Sequence, residues 1–114
     1  MKVEEASFGK IVIDGKVYRD DIVIDKGKIS YRKKEESRKQ KFKYGHTPLT
    51  ISENIPWDCK RLVIGTGYYG SLPIGEDVKA EAVKRGVELI IEKTQDAIKH
   101  LGETDANFVL HLTC

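Results

Sequence analysis

A chain of 114 residues is one domain's worth, 1–114, and leaves little room for a second hydrophobic core. Its residues are 39% hydrophobic and 33% charged, and no apolar run is longer than four residues, which excludes a membrane-spanning helix; no membrane partner is expected. The net charge of +2 is unevenly spread: residues 32–43, RKKEESRKQKFK, hold seven basic and two acidic side chains, and the remainder holds 13 basic and 16 acidic.

From Met1 to Asp20 charge alternates with short apolar runs, without the continuous apolar segment of a signal peptide. Cys59 and Cys114 form no CxxC pair. A cytoplasmic protein with reduced thiols is therefore the expectation, rather than a disulfide scaffold or a cysteine zinc module. The Lys- and Glu-rich composition also matches that of heat-adapted proteins.

Taken in chain order, residues 8–33 read as an antiparallel meander. Ile11-Val12-Ile13 and Val17-Tyr18 flank Asp14-Gly15, a strong signal for a type I′ hairpin, and Ile22-Val23-Ile24 and Ile29-Ser30-Tyr31 flank a second turn at Asp25–Lys28. Between Lys33 and Lys43 only Phe42 is large and apolar, so an exposed, mobile connection or a polar strand end is expected. Thr50-x-x-Glu53 has the spacing of a capping box, and Pro56 limits the short helix it opens to 50–55.

From Leu62 onward the pattern changes to a βαβαβ run. Leu62-Val63-Ile64, Val87–Ile91 and Phe108–Leu112 read as buried strands, separated by helices over 76–85, ended by Gly86, and over 95–101, capped by Thr94 and ended by Gly102. Short crossovers of this kind predict parallel neighbours.

Gly65-Thr66-Gly67-Tyr68-Tyr69-Gly70 fits G-x-G-x-x-G after a strand, with Glu92 at the end of the next one, which is the outline of a dinucleotide fingerprint. In a true fingerprint the helix opens inside the glycines. Here Ser71–Gly75 intervene, and the helix then begins with Glu76-Asp77, whose charge opposes a phosphate. No cofactor is expected. The loop still lies outside the carboxyl end of a parallel strand, where open α/β sheets bind ligands, and it is the favoured position for a small-molecule cleft. His111-x-x-Cys114 on a strand would point its ligands to opposite faces, so no metal is expected there, and His46 is the histidine in the most turn-like setting. Cys59 follows Asp58, which would raise rather than lower its pKa.

LVIGTGYYGSL, EDVKAEAVKRGVELIIEKTQDAIKHL, GHTPLT and the ending FVLHLTC together resemble the Mth938-domain family, which includes an adipogenesis-associated protein and a mitochondrial complex I assembly factor. The resemblance covers nearly the whole chain. It implies a three-layer α/β fold with a central mixed sheet, and a family known mainly as uncharacterised proteins or assembly and interaction factors. The shared positions are His46, Gly65, Gly67, Thr94, Ala97 and Lys99; His100-Leu101-Gly102 shortens the last helix relative to many relatives.

The leading expectation is a non-catalytic binding or assembly module that acts through a protein partner or self-association, with a small ligand near His46, Gly65, Thr66, Gly67, Tyr68, Tyr69, Gly70, Thr94 and Lys99. Two rivals stand beside it. One is an enzyme of unknown substrate that uses the 65–70 cleft with His46, Thr94 and Lys99. The other is a nucleic-acid binder acting through residues 32–43.

Overall fold

A computed structural model describes residues 1–40 and 47–114. His46 and the end of the basic run lie outside the described residues.

The first three strands, β1 (Val3–Ser7), β2 (Lys10–Ile13) and β3 (Lys16–Tyr18), form one antiparallel sheet in the order β1-β2-β3. Asp14 at φ 49° and Gly15 at φ 79° make the left-handed pair that a type I′ turn requires. β1 carries too weak an apolar signal to be seen in the sequence, since only Val3 and Ala6 turn inward and the strand lies at a sheet edge.

At Arg19–Asp21 the chain leaves this sheet. β4 (Ile22–Asp25) and β5 (Lys28–Tyr31), joined through Lys26 and Gly27, belong to a second sheet, so the expected meander is divided between two. The reason lies in β4. Ile22, Val23 and Ile24 are all buried, so both faces of this strand must be covered, and it cannot sit in a one-sided ribbon.

The second sheet is completed by β6 (Arg61–Gly65), β7 (Glu88–Glu92) and β8 (Ala106–Leu110), in the order β5-β4-β8-β6-β7. β6 pairs in parallel with β7 and β8, and β4 pairs antiparallel with β8, so the sheet is mixed. The crossovers are α1 (Glu76–Arg85), closed by Gly86 at φ 69°, and the single turn α2 (Thr94–Ala97), continued as a 3-10 turn over Ile98–His100. The βαβαβ reading holds.

Alternation along the central strands creates two cores. Ile22, Ile24, Val63, Phe108 and Leu110 face the first sheet and α2, meeting Ile11, Ile13, Tyr18 and Ala97. Val23, Leu62, Ile64 and Val109 face the opposite way, meeting α1 through Val78 and Ala82 and the 49–59 segment through Leu49 and Ile55. This is a three-layer α/β arrangement around a central mixed sheet, and among the described residues no helix is long and apolar enough to cross a membrane.

Three local expectations are corrected. Residues 34–40 form a 3-10 helix with Ser37 fully buried instead of an open connection. No helix forms over 50–55, because Glu53 turns to Arg32 rather than back to the Thr50 amide. The last helix is one α-turn with Lys93 at its N-cap, and Thr94 spends its hydroxyl elsewhere.

Candidate functional site

Gly65 ends β6 and passes the chain into the glycine loop, outside the carboxyl edge of the parallel strands. Every backbone N–H from Thr66 to Leu72 already has an acceptor within the chain. Thr66 donates to the Glu92 carbonyl (2.8 Å), Gly67 to Thr94 Oγ1 (2.8 Å) and Tyr68 to the Thr113 carbonyl (2.8 Å). Tyr69 and Ser71 donate to the Cys114 carbonyl (3.2 and 2.9 Å), Gly70 to the Gly67 carbonyl (3.3 Å) and Leu72 to the Thr66 carbonyl (3.1 Å). No amide of this stretch remains to face a pyrophosphate. Glu92, at the acidic position of the fingerprint, instead meets His100 Nε2 at 2.7 Å.

The glycines serve this internal docking. A Cβ on Gly65 would come within 2.9 Å of Thr94 Oγ1; one on Gly67 would overlap the Cys114 carbonyl carbon and approach His111 Cδ2 to 2.8 Å. Thr94 Oγ1, fully buried, accepts the Gly67 amide and donates to the His111 carbonyl at 2.6 Å, so one hydroxyl clamps the loop to the end of β8. The structure therefore brings Gly65, Thr66, Gly67 and Thr94 together around the final residues of the chain. Tyr68, Tyr69 and Gly70 stand outside that clamp, where Phe8 lies with its ring centroid 6.3 Å from Tyr68 and 6.0 Å from Tyr69. Lys99 does not join them; it pairs with Asp96 at 3.2 Å on an exposed surface.

Beside the sealed loop lies a cavity of about 370 Å³. Ser71 and Leu72 form one wall, His111, Thr113 and Cys114 a second, and Arg32, Lys34, Arg38 and Thr47 a third. Among the described residues no Asp or Glu lines it. A second cavity of about 340 Å³ lies at the opposite, amino end of β8, but there the Asn107 side chain is spent on the Lys26 amide (2.8 Å) and the Pro56 carbonyl (3.0 Å), as a structural corner.

Beneath the first cavity is a buried charge network. Arg32 gives Nε and Nη2 to the two Glu53 oxygens (2.7 and 2.9 Å), Nη1 to Asp21 (3.0 Å) and Nη2 also to the Pro48 carbonyl (2.7 Å). Ser37 adds hydrogen bonds to Glu53 and to Thr50. Asp21 Oδ2 also meets His111 Nδ1 at 2.7 Å, and Oδ1 takes the Leu112 amide at 2.9 Å. Burial pushes the Asp21 carboxyl up, but the hydrogen bond and charge of His111, the Leu112 amide and the Arg32 charge outweigh it and hold the group at about 2. Arg32 is thereby withdrawn from the basic run that the nucleic-acid reading relied on.

Asp21, Arg32, His111 and Thr113 were not picked out as a group in the sequence, yet one signal could have found the first pair. Counting outward from the Lys26-Gly27 turn sets Ile22 against Tyr31, so Asp21 and Arg32 are the next opposed pair, an acid and a base flanking a wholly buried strand. Elsewhere, Cys59 and Cys114 are free thiols, and burial, followed by Asp25 and Asp58, raises the Cys59 thiol. Among the described residues no three His, Cys, Asp or Glu side chains gather as a metal set.

Among solved structures, the conserved hypothetical protein PH1505 from Pyrococcus horikoshii OT3 is similar to this chain, with a TM-score of 0.82 and 33% identity over 100% of both chains. A structure described as MT938 matches with a TM-score of 0.71 at 23% identity, covering 98% of this chain and 97% of that one. An outer membrane protein from Bartonella henselae matches with a TM-score of 0.66 at 13% identity, covering 98% and 94%. The last two likenesses are of fold alone. No protein-family model and no curated protein matches the chain.

Proposed function

This chain belongs to the Mth938-like family, and on that premise we propose that it is a cytoplasmic binding module whose ligand is a small anionic molecule held in the cavity at the carboxyl edge of β6 and β8. The observation that carries this reading is the lining. Arg38, Ser71, His111 and Thr113 converge on one concave space, together with Lys34, whose ammonium also meets Asp20 at 2.6 Å, and among the described residues no Asp or Glu side chain lines it. Each can donate a hydrogen bond, and donors with cationic heads are what a phosphate or carboxylate requires. The position agrees with the general placement of ligands in open α/β sheets. The binding site is thus proposed beside the glycine loop, on the far side of residues 111–114.

Calorimetric titration with inorganic phosphate and with citrate tests it. A dissociation constant near or below about 1 mM, roughly −4 kcal/mol, is expected for at least one of them. Binding should weaken about tenfold in Arg38→Gln, as loss of a charge-assisted hydrogen bond predicts. Heat unchanged by Arg38→Gln, or no heat at all, counts against the cavity.

A second reading rests on the aromatic lip. Phe8 and Tyr69 are 55% and 72% exposed, and Phe8 lies against Tyr68 and Tyr69 of a loop whose backbone N–H groups are all engaged within the chain, which holds it rigid. Rigid, exposed aromatic rings are the side chains that anchor protein contacts. Sedimentation analysis of the wild type against Phe8→Ser/Tyr69→Ser tests whether this lip holds two copies together.

A further inference from the structure

Asp21 orients His111. Its Oδ2 accepts from Nδ1 at 2.7 Å, and its Oδ1 is occupied by the Leu112 amide, so the carboxylate cannot swing away without losing both bonds. A carboxylate acceptor on Nδ1 places the proton of a neutral imidazole there and leaves the lone pair on Nε2. His111 lines the cavity, and the polar neighbour of Nε2 is Thr113 Oγ1 at 3.4 Å, too long to hold it firmly. His100 is the contrast: its two ring nitrogens face Glu103 and Glu92 at 2.7 Å each, which leaves no lone pair for a ligand.

Asp21, His111 and Thr113 stand in the order of a hydrolytic triad. Acyl transfer nevertheless needs convergent N–H donors for a tetrahedral oxyanion, and the adjacent amides from Thr66 to Leu72 are all committed. Proton transfer to and from carbon makes a smaller demand. It needs a positioned base and a cationic environment for the enolate that forms. Here both are present, the base in His111 and the cationic environment in Arg38, with Lys34 shared between the cavity and Asp20 at 2.6 Å.

We propose that His111 is the acid–base residue of this cavity, oriented by Asp21, and that it moves a proton at the carbon beside the carbonyl of a small anionic substrate; this rests on the anion-binding reading above. In the step, Nε2 takes the α-proton while the C–H electron pair moves into the carbonyl to give an enolate. The enolate electrons then re-form a C–H bond with the proton that Nε2 returns. Nothing is oxidised or reduced and no co-reactant is consumed.

Two measurements test the inference. The first follows loss of the α-proton signals of dihydroxyacetone phosphate and of 2-oxoglutarate in D₂O by NMR. Exchange of at least one probe should exceed the buffer rate by about a hundredfold, and should fall to the buffer rate in His111→Asn, whose amide can still donate to Asp21. The second reads the tautomer from the ¹⁵N shifts of His111 in the unaltered protein, where the neutral ring should carry its proton on Nδ1. This keeps the inference testable even where a variant fails to fold. Probe binding without exchange overturns the catalytic inference and leaves the anion site standing. Absence of binding by both probes at roughly 10 mM overturns the two together. A proton on Nε2 of the neutral ring overturns the role of Asp21 and with it the proposal.

Discussion

At the scale of single residues, two positions at the carboxyl edge are fixed by space and charge rather than by side-chain preference. Gly67 combines a φ of 98° with a Cβ direction blocked by the Cys114 carbonyl carbon and His111 Cδ2, so Gly67→Ala meets backbone strain and a clash together. Gly102 has a similar φ of 94° but nothing within 4 Å of its Cβ direction among the described residues. Gly102→Ala should therefore cost about 1 kcal/mol, and Gly67→Ala about 3 kcal/mol, read from urea midpoints. Equal costs would mean that the end of the chain gives way easily. The need for glycine at 67 was legible from the loop signature. Its reason was not, since the obstructing atoms come from residues 111–114 and proximity across the sheet leaves no trace in local sequence. Asp21 allows a pH prediction. Its folded-state value is depressed from 3.8 to about 2, so its contribution is fully present above the unfolded value and is lost as pH falls through the folded one. Stability should decline by about 2 kcal/mol between pH 5 and pH 2 on account of this group. Asp21→Asn should remove that part of the pH dependence, and a variant retaining the full slope would assign it to other carboxylates.

At the scale of elements, the segment 32–55 shows where local reading is overridden. Thr50 and Glu53 have capping-box spacing, and a capping box would have opened a short helix. Instead the Glu53 carboxylate takes Arg32 in a two-point contact, with side-chain exposures of 1% on both partners, and the Thr50 hydroxyl turns to Ser37 and Ser52. A buried guanidinium has a far larger unmet demand than a free amide at a solvated helix end, so the ion pair wins. The same contacts explain why Lys34–Gln40 coils into a 3-10 helix despite lacking apolar residues: Ser37 is its anchor. Glu53→Ala should cost about 3 kcal/mol or more by leaving Arg32 underpaired in the interior. It should also remove one of the two partners of the Ser37 hydroxyl and leave only Thr50, so amide exchange across 34–40 should accelerate beyond the global loss. A Glu53→Ala protein with near-normal stability would show that water reaches and solvates Arg32. By contrast α1 was read to its bounds, because Glu76-Asp77, Lys84-Arg85 and Gly86 are local signals that no tertiary contact contradicts.

For the whole molecule, the strands of the second half were legible as buried runs, and their parallel pairing followed from short crossovers. The order β5-β4-β8-β6-β7 was not, because inserting β8 between β4 and β6 depends on long-range pairing such as Val23 with Val109. That insertion bears on whether the two sheets behave as one domain. The first sheet attaches through Ile11 and Ile13, and lifting it away would expose these with Ile22, Ile24, Phe108 and Leu110, each no more than 3% exposed. At about 2 kcal/mol per side chain such an opening would cost on the order of 10 kcal/mol, comparable with the total stability of a small domain. It would also break the hydrogen bond from the Gly9 amide to the Leu112 carbonyl (2.7 Å), the residue whose own amide holds Asp21. Independent unfolding of β1–β3 is therefore too expensive to precede global unfolding. Trp57, which packs in the opposite layer under Arg85 with the guanidinium 5.3 Å from the ring centroid, offers a probe remote from that sheet. The urea midpoint of Trp57 fluorescence should coincide with that of far-ultraviolet circular dichroism, and the Ile13 amide should exchange only through global unfolding. An Ile13 amide that exchanges several kcal/mol below the global value would instead identify the three-stranded sheet as a separately opening unit.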